Sequence, residues 1–245
     1  MLKHLSASLP LALLVVLVTA TLVGALGGVI AIRAKGVYFA LISFGLAQVV
    51  SKVVFNTREL GASDGIIGVP APVLNLGLFS VNTASAPAFF LLVLAGMAAL
   101  YAGLSWLMDT PFGRQLAAIK ANEHRLPFLG FDPWRYKLAA FVLAADVAAL
   151  SGALYPMLRG FVSPELMFFQ VSGNAIINVI VGGTGTLVGA LYGSALLTVL
   201  KSVVGSFTAH HAIVIGVLFV LSVIFFPKGL IGYLAPALQR LRRPR

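Results

Sequence analysis

Long apolar runs separated by short polar segments dominate this chain. A membrane-spanning helix needs roughly 20 apolar residues to cross about 30 Å of hydrocarbon, so hydropathy predicts about seven spans. The spans are Leu9–Ile32, Gly36–Thr57, Ala86–Met108, Leu138–Leu158, Phe168–Gly183, Leu187–Val204 and Ala212–Phe226. The predicted fold class is therefore an all-α, polytopic transmembrane helix bundle, with residues 1–245 forming a single membrane domain.

The fifth and sixth spans are inferred from a break in one long apolar region. Residues 168–204 are too many for one helix, and five residues interrupt them: Gly182, Gly183, Thr184, Gly185 and Thr186. Two short helices joined by a glycine turn fit this pattern better than one span.

Glycines at four-residue spacing predict close helix packing. Gly185, Gly189 and Gly193 would form one helical stripe, where the absence of side chains lets another helix approach. Gly24 and Gly28 form a weaker version of the same pattern.

The composition supports the membrane class and excludes a soluble fold. Hydrophobic residues make up 60% of the chain and charged residues only 10%, against about 45–50% and about 25% in soluble domains. The net charge is +10, but the basic residues are scattered at predicted membrane edges, which argues against nucleic-acid binding. Anionic membrane lipid is the expected partner of these residues, above all of the basic tail at about 236–245.

The distribution of Lys and Arg predicts the orientation, because cytoplasmic loops carry their excess. Placing residues 109–137 inside puts twelve of the 17 basic residues on the cytoplasmic side. They are Arg33, Lys35, Arg114, Lys120, Arg125, Arg135, Lys137, Lys228, Arg240, Arg242, Arg243 and Arg245. The N-terminus is then predicted outside and the C-terminus inside. An outside N-terminus is unusual, which suggests that an odd number of helices is missing upstream.

Residues 109–137 carry five basic and three acidic residues between two apolar spans. The pattern predicts a surface helix from Phe112 to about His124, a break at Pro127, a turn at Gly130 and a return to the membrane past Trp134. The apolar face of this helix carries Leu116, Ala118 and Ile119. Its solvated face carries Arg114, Lys120 and Glu123. An ordinary amphipathic connector without a partner fits the same pattern.

Four polar residues within the predicted spans are candidates for lining a translocation pathway: Gln48, Asp146, Asn174 and Asn178. A carboxylate in a span is costly, so Asp146 is either functional or a protonated or hydrogen-bonded acid inside the bundle. The uncharged residues can equally bond across helices. Lys52 and Lys201 lie near outer span ends, where lysine reaches the interface, and no role is predicted for them.

Motifs for ATP hydrolysis and metal binding are missing from the sequence. The turn GGTGT is not followed by the lysine of a P-loop, so no ATPase activity is expected of this chain. His210 and His211 have no acidic or cysteine companion nearby, so no metal site is predicted.

Several sequence blocks follow one another in order: RAKGVYFALISFGLAQVV, GASDGIIGVP, FGRQLAAIKANEHR, LGFDPWRYKLAAFVLAA, SGALY, GFVSPE and VIVGGTGTLVGALYGSALL. Together they resemble the branched-chain amino acid ABC importer permease family, from about Leu9 to Tyr233. The resemblance implies a type II importer membrane subunit in the bacterial inner membrane.

That resemblance also implies partners and residue roles. The partners would be a second similar permease, two cytoplasmic ATPase subunits that bind ATP and Mg, and a periplasmic substrate-binding protein. Ser63, Asp64 and Gly65 match the outer-loop block of the family. The ATPase-coupling loop would contain Gly113, Arg114, Ala118, Ile119, Asn122, Glu123 and Gly130. This chain departs from the family at Asp146 and at Leu126 and Pro127, which replace small residues.

The function expected is translocation of branched-chain or related neutral amino acids, without catalysis or a bound cofactor in this chain. Import of urea or amides by the same type of permease is a close alternative. A self-contained secondary transporter would need a coupling-ion site, for which only Asp146 is available. A membrane scaffold without transport would leave the polar positions and the glycine turn without a task.

Overall fold

The computed structural model describes residues 9–69, 73–75, 80–82 and 85–207, together with residues 214, 216, 217 and 220. Five of its helices are long and apolar enough to cross a membrane. The protein is therefore a multi-pass membrane protein, and the predicted all-α, polytopic fold class is confirmed. Contacts divide the chain into two compact units, Met1–Met167 and Phe168–Arg245. The single membrane domain stays a prediction.

The first unit is built from five helices: α1 (Leu9–Ala31), α2 (Val37–Asn56), α3 (Ala86–Asp109), α4 (Pro111–Asn122) and α5 (Pro133–Arg159). Short 3₁₀ turns connect them at Arg58–Leu60, Ala62–Asp64, Glu123–Arg125, Pro127–Leu129 and Pro164–Met167. Four short strands are β1 (Ile66–Ile67), β2 (Val73–Asn75), β3 (Ser80–Asn82) and β4 (Phe161–Val162). The first three predicted spans agree with α1, α2 and α3 within one residue at each end.

Helix α5 begins five residues before the predicted span, at Pro133 instead of Leu138. The Asp132 side chain accepts a hydrogen bond from the Trp134 backbone N–H at 3.1 Å, and Pro133 occupies the first turn. Both are typical helix-start signals. The polar first turn of α5 therefore continues the transmembrane helix beyond the apolar run that hydropathy detects.

Helices α1 and α5 pack closely at Gly24 and Gly28, the glycine pair predicted as the weaker packing pattern. A Cβ added to Gly24 would lie 2.9 Å from Ala145 Cβ, and one added to Gly28 would lie 2.8 Å from Leu138 Cδ1. The order of these contacts makes the two helices antiparallel. Gly24 and Gly28 let the α1 backbone reach the side chains of α5.

Two segments that are distant in sequence pair beyond the ends of α2 and α5. Strands β1 and β4 are antiparallel, with Ile66 opposite Val162 and Ile67 opposite Phe161. The backbone N–H of Gly68 extends the pairing by donating to the Gly160 carbonyl at 2.9 Å. The C-terminal ends of α2 and α5 therefore lie on one side of the membrane. Strands β2 and β3 form a separate two-stranded pair.

The second unit contains an antiparallel helix pair, α6 (Phe169–Gly182) and α7 (Leu187–Phe207). This confirms the predicted break near the glycine run. Helix α7 is long enough to span, whereas α6 has 14 residues and reaches only about 21 Å at about 1.5 Å per residue. The predicted last span, Ala212–Phe226, lies almost entirely outside the described residues.

Glycines bring α6 and α7 into backbone contact. A Cβ at Gly182 would clash with the Gly189 carbonyl and lie 2.9 Å from the Gly193 backbone nitrogen. A Cβ at Gly193 would clash with the Asn178 carbonyl. The predicted stripe is wrong at Gly185, which precedes α7 and has no described atom within 4 Å of an added Cβ.

Candidate coupling segment and polar positions in the spans

The junction between α3 and α4 is a sharp turn around Thr110. Its hydroxyl donates to the Leu107 carbonyl at 2.6 Å, and its own carbonyl accepts from the Arg114 backbone N–H at 3.2 Å. Gly113 is buried here, and an added Cβ would lie 2.5 Å from Met108 Cα. Gly113 therefore packs the surface helix against the end of α3 and presents no surface to a partner.

Helix α4 presents one exposed face, which contains Arg114, Ala118 and Lys120. Leu116 and Ile119 are partly buried on the opposite side. The structure places the predicted amphipathic surface helix at Pro111–Asn122. The prediction that Ala118 shares the apolar face of Leu116 and Ile119 is wrong. Because Ala118 is exposed, it is available to a partner and not to the membrane helices.

The end of α4 is tied to the start of α5. The Asn122 side chain accepts from the His124 backbone N–H at 3.1 Å, which caps the following 3₁₀ turn. Lys137 Nζ donates to Glu123 Oε1 at 2.8 Å, and these side chains retain 26% and 32% of their full exposure. Glu123 remains partly solvated, and the chain turns back to bring Lys137 beside it.

The hydrogen bond from Lys137 holds the pKa of the Glu123 carboxyl below its ordinary value of 4.5. Partial burial opposes this effect, and the positive charges of Lys137, Lys35 and His124 reinforce it. The carboxylate is therefore charged at neutral pH. The ion pair ties the candidate coupling segment, residues 109–137, to the start of α5.

A compact turn with an apolar tip follows the ion pair. Leu126 is only 2% exposed, and its carbonyl accepts from the backbone N–H groups of Leu129 and Phe131 at 2.9 and 3.1 Å. Gly130 has φ +80°, as the predicted turn requires. Phe128 is 91% exposed beside the exposed Leu129. Buried Leu126 thus anchors a turn that leaves two large apolar side chains exposed.

Sequence reasoning missed this pair, although Pro-Phe-Leu-Gly carries a signal. A proline and a glycine separated by two residues define a tight turn, in which the intervening side chains cannot both face inward. Phe128 and Leu129 are those intervening residues.

The three residues predicted to form an outer-loop block lie directly before β1: Ser63, Asp64 and Gly65. The Ser63 hydroxyl donates to Asp64 Oδ1 at 3.2 Å, and Asp64 has no ion-pair partner among the described residues. Gly65 has φ +72°, and a Cβ there would clash with the Val162 carbonyl. The glycine is needed for the pairing of β1 with β4.

Asp146 faces α1 from the middle of α5. The Thr21 hydroxyl donates to its Oδ1 at 2.9 Å, one turn from the contact between Gly24 and Ala145. This bond supports the interpretation of Asp146 as a hydrogen-bonded acid between helices. No hydrogen bond joins it to Gln48 in the part of the chain that the structure describes.

The remaining polar candidates lie at separate places. Gln48 lies along an open groove on the surface of α2, together with Lys52, Asn56 and Thr57. Within the second unit, Lys201 Nζ donates to Asn174 Oδ1 at 3.4 Å, at the open end of the pair formed by α6 and α7. Asn178 is one turn along α6, where its carbonyl meets Gly193. Asn174 and Asn178 therefore follow one edge of this helix pair.

No three His, Asp or Glu side chains gather into a metal-binding group within the described ranges. Of the four polar candidates, Asp146 is bonded to Thr21 and Asn174 to Lys201.

Comparisons with known proteins identify the family. A profile of the family described as branched-chain amino acid transport system / permease component matches residues 1–223. The high-affinity branched-chain amino acid transport system permease proteins LivM of Salmonella typhimurium and Escherichia coli K12 are 31% and 30% identical over 237 residues. Each alignment covers 88% of this chain and 56% of the relative.

A second group of relatives has a different name. The autoinducer 2 import system permease protein LsrC of Salmonella paratyphi B is 29% identical over 205 residues, covering 80% of this chain and 56% of that protein. No solved structure matches the chain. The chain thus spans just over half the length of these relatives, and it belongs to the branched-chain amino acid transport system permease family.

Proposed function

We propose that this chain acts as a membrane permease subunit of an ATP-binding-cassette importer for branched-chain or related neutral amino acids. The observation that carries the proposal is the surface segment between α3 and α5, which presents Phe128 and Leu129 on a firmly anchored turn. Exposed apolar side chains of this size on a rigid turn are typical anchors for a protein partner. The partner proposed is a cytoplasmic ATPase subunit.

The anchoring of this segment suggests how a partner's movement would reach the membrane. Gly113 fixes α4 to the end of α3, and the pair formed by Glu123 and Lys137 fixes it to α5. Helix α5 in turn packs closely on α1 through Gly24 and Gly28. A displacement of the turn would therefore move the packed helices together and could alternate the access of a pathway.

The wider assembly proposed contains a second permease subunit, two ATPase subunits and a periplasmic substrate-binding protein. ATP and Mg would bind to the ATPases, and this chain would contribute no catalytic residue. The names of the LivM relatives support branched-chain amino acids as substrates. The name of the LsrC relative supports a broader choice of solutes as the second candidate. The urea or amide alternative is supported by the sequence resemblance alone.

A self-contained secondary transporter is less well supported. Such a protein would need an ionisable coupling site. Asp146, the one acidic residue that lies inside the described spans and not at a span end, is bonded to a neutral hydroxyl. Ion coupling usually requires several ligands at one place.

The docking role is tested by replacing the tip residue and a matched phenylalanine elsewhere. Phe90 is also exposed, but it lies near the first turn of α3, away from the coupling segment. Phe128→Ala should weaken retention of the ATPase subunits about 30-fold, as loss of a central apolar anchor does. Phe90→Ala should leave retention unchanged. Equal retention by the two variants and the unmodified protein would refute docking through this turn.

A second substitution tests the charged face of α4. Arg114→Glu should also lower retention of the ATPase subunits, because Arg114 is an exposed cation on α4. This replacement leaves the junction between α3 and α4 intact. Gly113 is unsuitable for this test, since any side chain there would displace Met108. Uptake of leucine, urea and autoinducer 2 by the complete transporter would then distinguish the substrate alternatives.

A further inference from the structure

A cavity of about 600 Å³ lies where the turn between α1 and α2 meets α4 and α5. This volume is within the range of about 300–1,000 Å³ typical of ligand pockets. Three charged residues line it: Lys35, Glu123 and Lys137. The other lining residues are apolar or small: Ile32, Ala34, Gly36, Phe39, Leu116, Ala140 and Phe141. The cavity is therefore amphipathic.

The charges of this cavity do not balance. Glu123 is hydrogen-bonded to Lys137 at 2.8 Å, and the positive charge of Lys35 also acts on that carboxylate. Two ammonium groups and one carboxylate leave a net charge of +1. The Lys35 side chain is exposed and has no hydrogen-bond or ion-pair partner within the described ranges. An anion entering the cavity would therefore be attracted to Lys35.

The apolar wall indicates which anion fits. The rings of Phe39 and Phe141 meet edge to face, with centroids 6.2 Å apart. Phe39 belongs to the first turn of α2, and Phe141 lies two turns into α5, so both extend from the charged rim along membrane-spanning helices. A water-soluble phosphate would leave this wall bare. A lipid acyl chain would cover it.

We propose that this cavity binds the headgroup of an anionic phospholipid, with the phosphate at Lys35 and an acyl chain along Phe39 and Phe141. Basic pockets between transmembrane helices are suited to such headgroups. A lipid bound there would contact the turn between α1 and α2, the coupling helix and α5 at once. The proposal rests on the proposed placement of these helix ends at a membrane surface, and not on the transported solute.

Native mass spectrometry of the full chain tests the proposal, after extraction from bilayers that contain equal phosphatidylglycerol and phosphatidylcholine. The unmodified protein should retain phosphatidylglycerol preferentially. Lys35→Gln should reduce that preference about fivefold, the effect of one lysine near an anionic headgroup. Arg33→Gln is the matched control, because Arg33 is an exposed cation on the same turn but does not line the cavity.

Further measurements distinguish a bound lipid from other anions. Glu123→Gln should increase retention of phosphatidylglycerol, because it removes the one negative charge among the described lining residues. Glycerol phosphate, which has the headgroup chemistry without acyl chains, should not displace the bound lipid at millimolar concentration. Equal loss in Lys35→Gln and Arg33→Gln, or displacement by glycerol phosphate, would overturn the proposal. Neither result depends on the ATPase partner, so the proposed transport function is judged separately.

Discussion

The pair formed by Glu123 and Lys137 should stabilise the coupling segment measurably. Exposed ion pairs contribute about 0.2–1 kcal/mol, whereas breaking a buried pair costs about 3–5 kcal/mol. These side chains retain 32% and 26% of their exposure, so solvent screens the pair in part. Breaking it should therefore cost about 1–2 kcal/mol.

The two halves of the pair should not be equivalent. Glu123→Gln leaves Lys35 and Lys137 lining one cavity without a counter-charge, whereas Lys137→Gln leaves Glu123 under the influence of Lys35. We therefore expect Glu123→Gln to be the more destabilising change. The melting temperature of the Glu123→Gln variant in detergent should fall by roughly 2–8 °C below that of the unmodified protein. A larger effect of Lys137→Gln would contradict this electrostatic account.

The pH dependence gives an independent check. The pKa of Glu123 is lowered in the folded protein, so its contribution is complete above the ordinary carboxyl value of 4.5 and is lost as pH falls through the folded value. The difference between the unmodified protein and Glu123→Gln should accordingly shrink below pH 4.5. A constant difference down to strongly acidic pH would mean that packing, and not charge, is responsible.

A nearby exposed pair provides the control. Arg135 Nε lies 3.2 Å from Asp132 Oδ2, and both side chains are exposed. Arg135→Gln removes this pair and keeps the Asp132 cap of α5, so it should change stability by less than about 0.5 kcal/mol. Limited proteolysis within residues 109–137 should be faster for Glu123→Gln and unchanged for Arg135→Gln.

Three further changes test the rest of the structure. Gly193→Ala should cost about 1–3 kcal/mol by forcing α7 away from the α6 backbone, whereas Gly185→Ala should be nearly neutral in the same thermal melts. Asp146→Asn keeps an oxygen that accepts from the Thr21 hydroxyl and should fold normally, whereas Asp146→Ala should lose about 1 kcal/mol of stability. Equal losses of stability in the two variants would exclude this hydrogen bond as the cause. The chain contains no cysteine, so Ser63→Cys and Lys120→Cys can be labelled separately with a membrane-impermeant maleimide. In intact cells only Ser63→Cys should react, and the reverse result would invert the orientation.

The transmembrane helices of the first unit could be predicted because burial in lipid imposes a long apolar run. The limits of α1, α2 and α3 follow that run within one residue. At α5 the helix continues past the apolar residues, because the Asp132 cap and Pro133 start it inside the polar segment. Hydropathy detects the lipid-exposed part of a helix, and capping chemistry determines where the helix begins.

Glycine spacing alone could not identify the closest helix contacts. The pattern at Gly24 and Gly28 is short, yet both residues lie against α5. The longer pattern begins at Gly185, which lies outside α7 and has no close neighbour among the described residues. Gly189 and Gly193 instead contact Gly182 of α6. Spacing places residues on one face of a helix only where that helix exists. The partner helix depends on the fold of the whole unit.

The candidate coupling segment was predictable in outline but not in its contacts. A surface helix and a glycine turn follow from local sequence, and the structure contains both. The pair formed by Glu123 and Lys137 joins residues 14 positions apart, and burial of Leu126 depends on how the turn folds back. Local sequence therefore predicted the helix and the turn of this segment. The exposed tip formed by Phe128 and Leu129 could be identified only from the tertiary structure.

The position of the coupling segment relative to the outer loop follows from connectivity, without any appeal to charge. Strand β1 follows α2 and β4 follows α5, so their pairing places the C-terminal ends of α2 and α5 on one side. The chain crosses once through α3 and returns through α5 between these strands, so α4 must lie on the opposite side. The turn carrying Lys35 lies there too, because Lys35 and Lys137 line one cavity. Two separate basic segments thus meet at the same membrane face, and the excess of Lys and Arg predicts that this face is cytoplasmic.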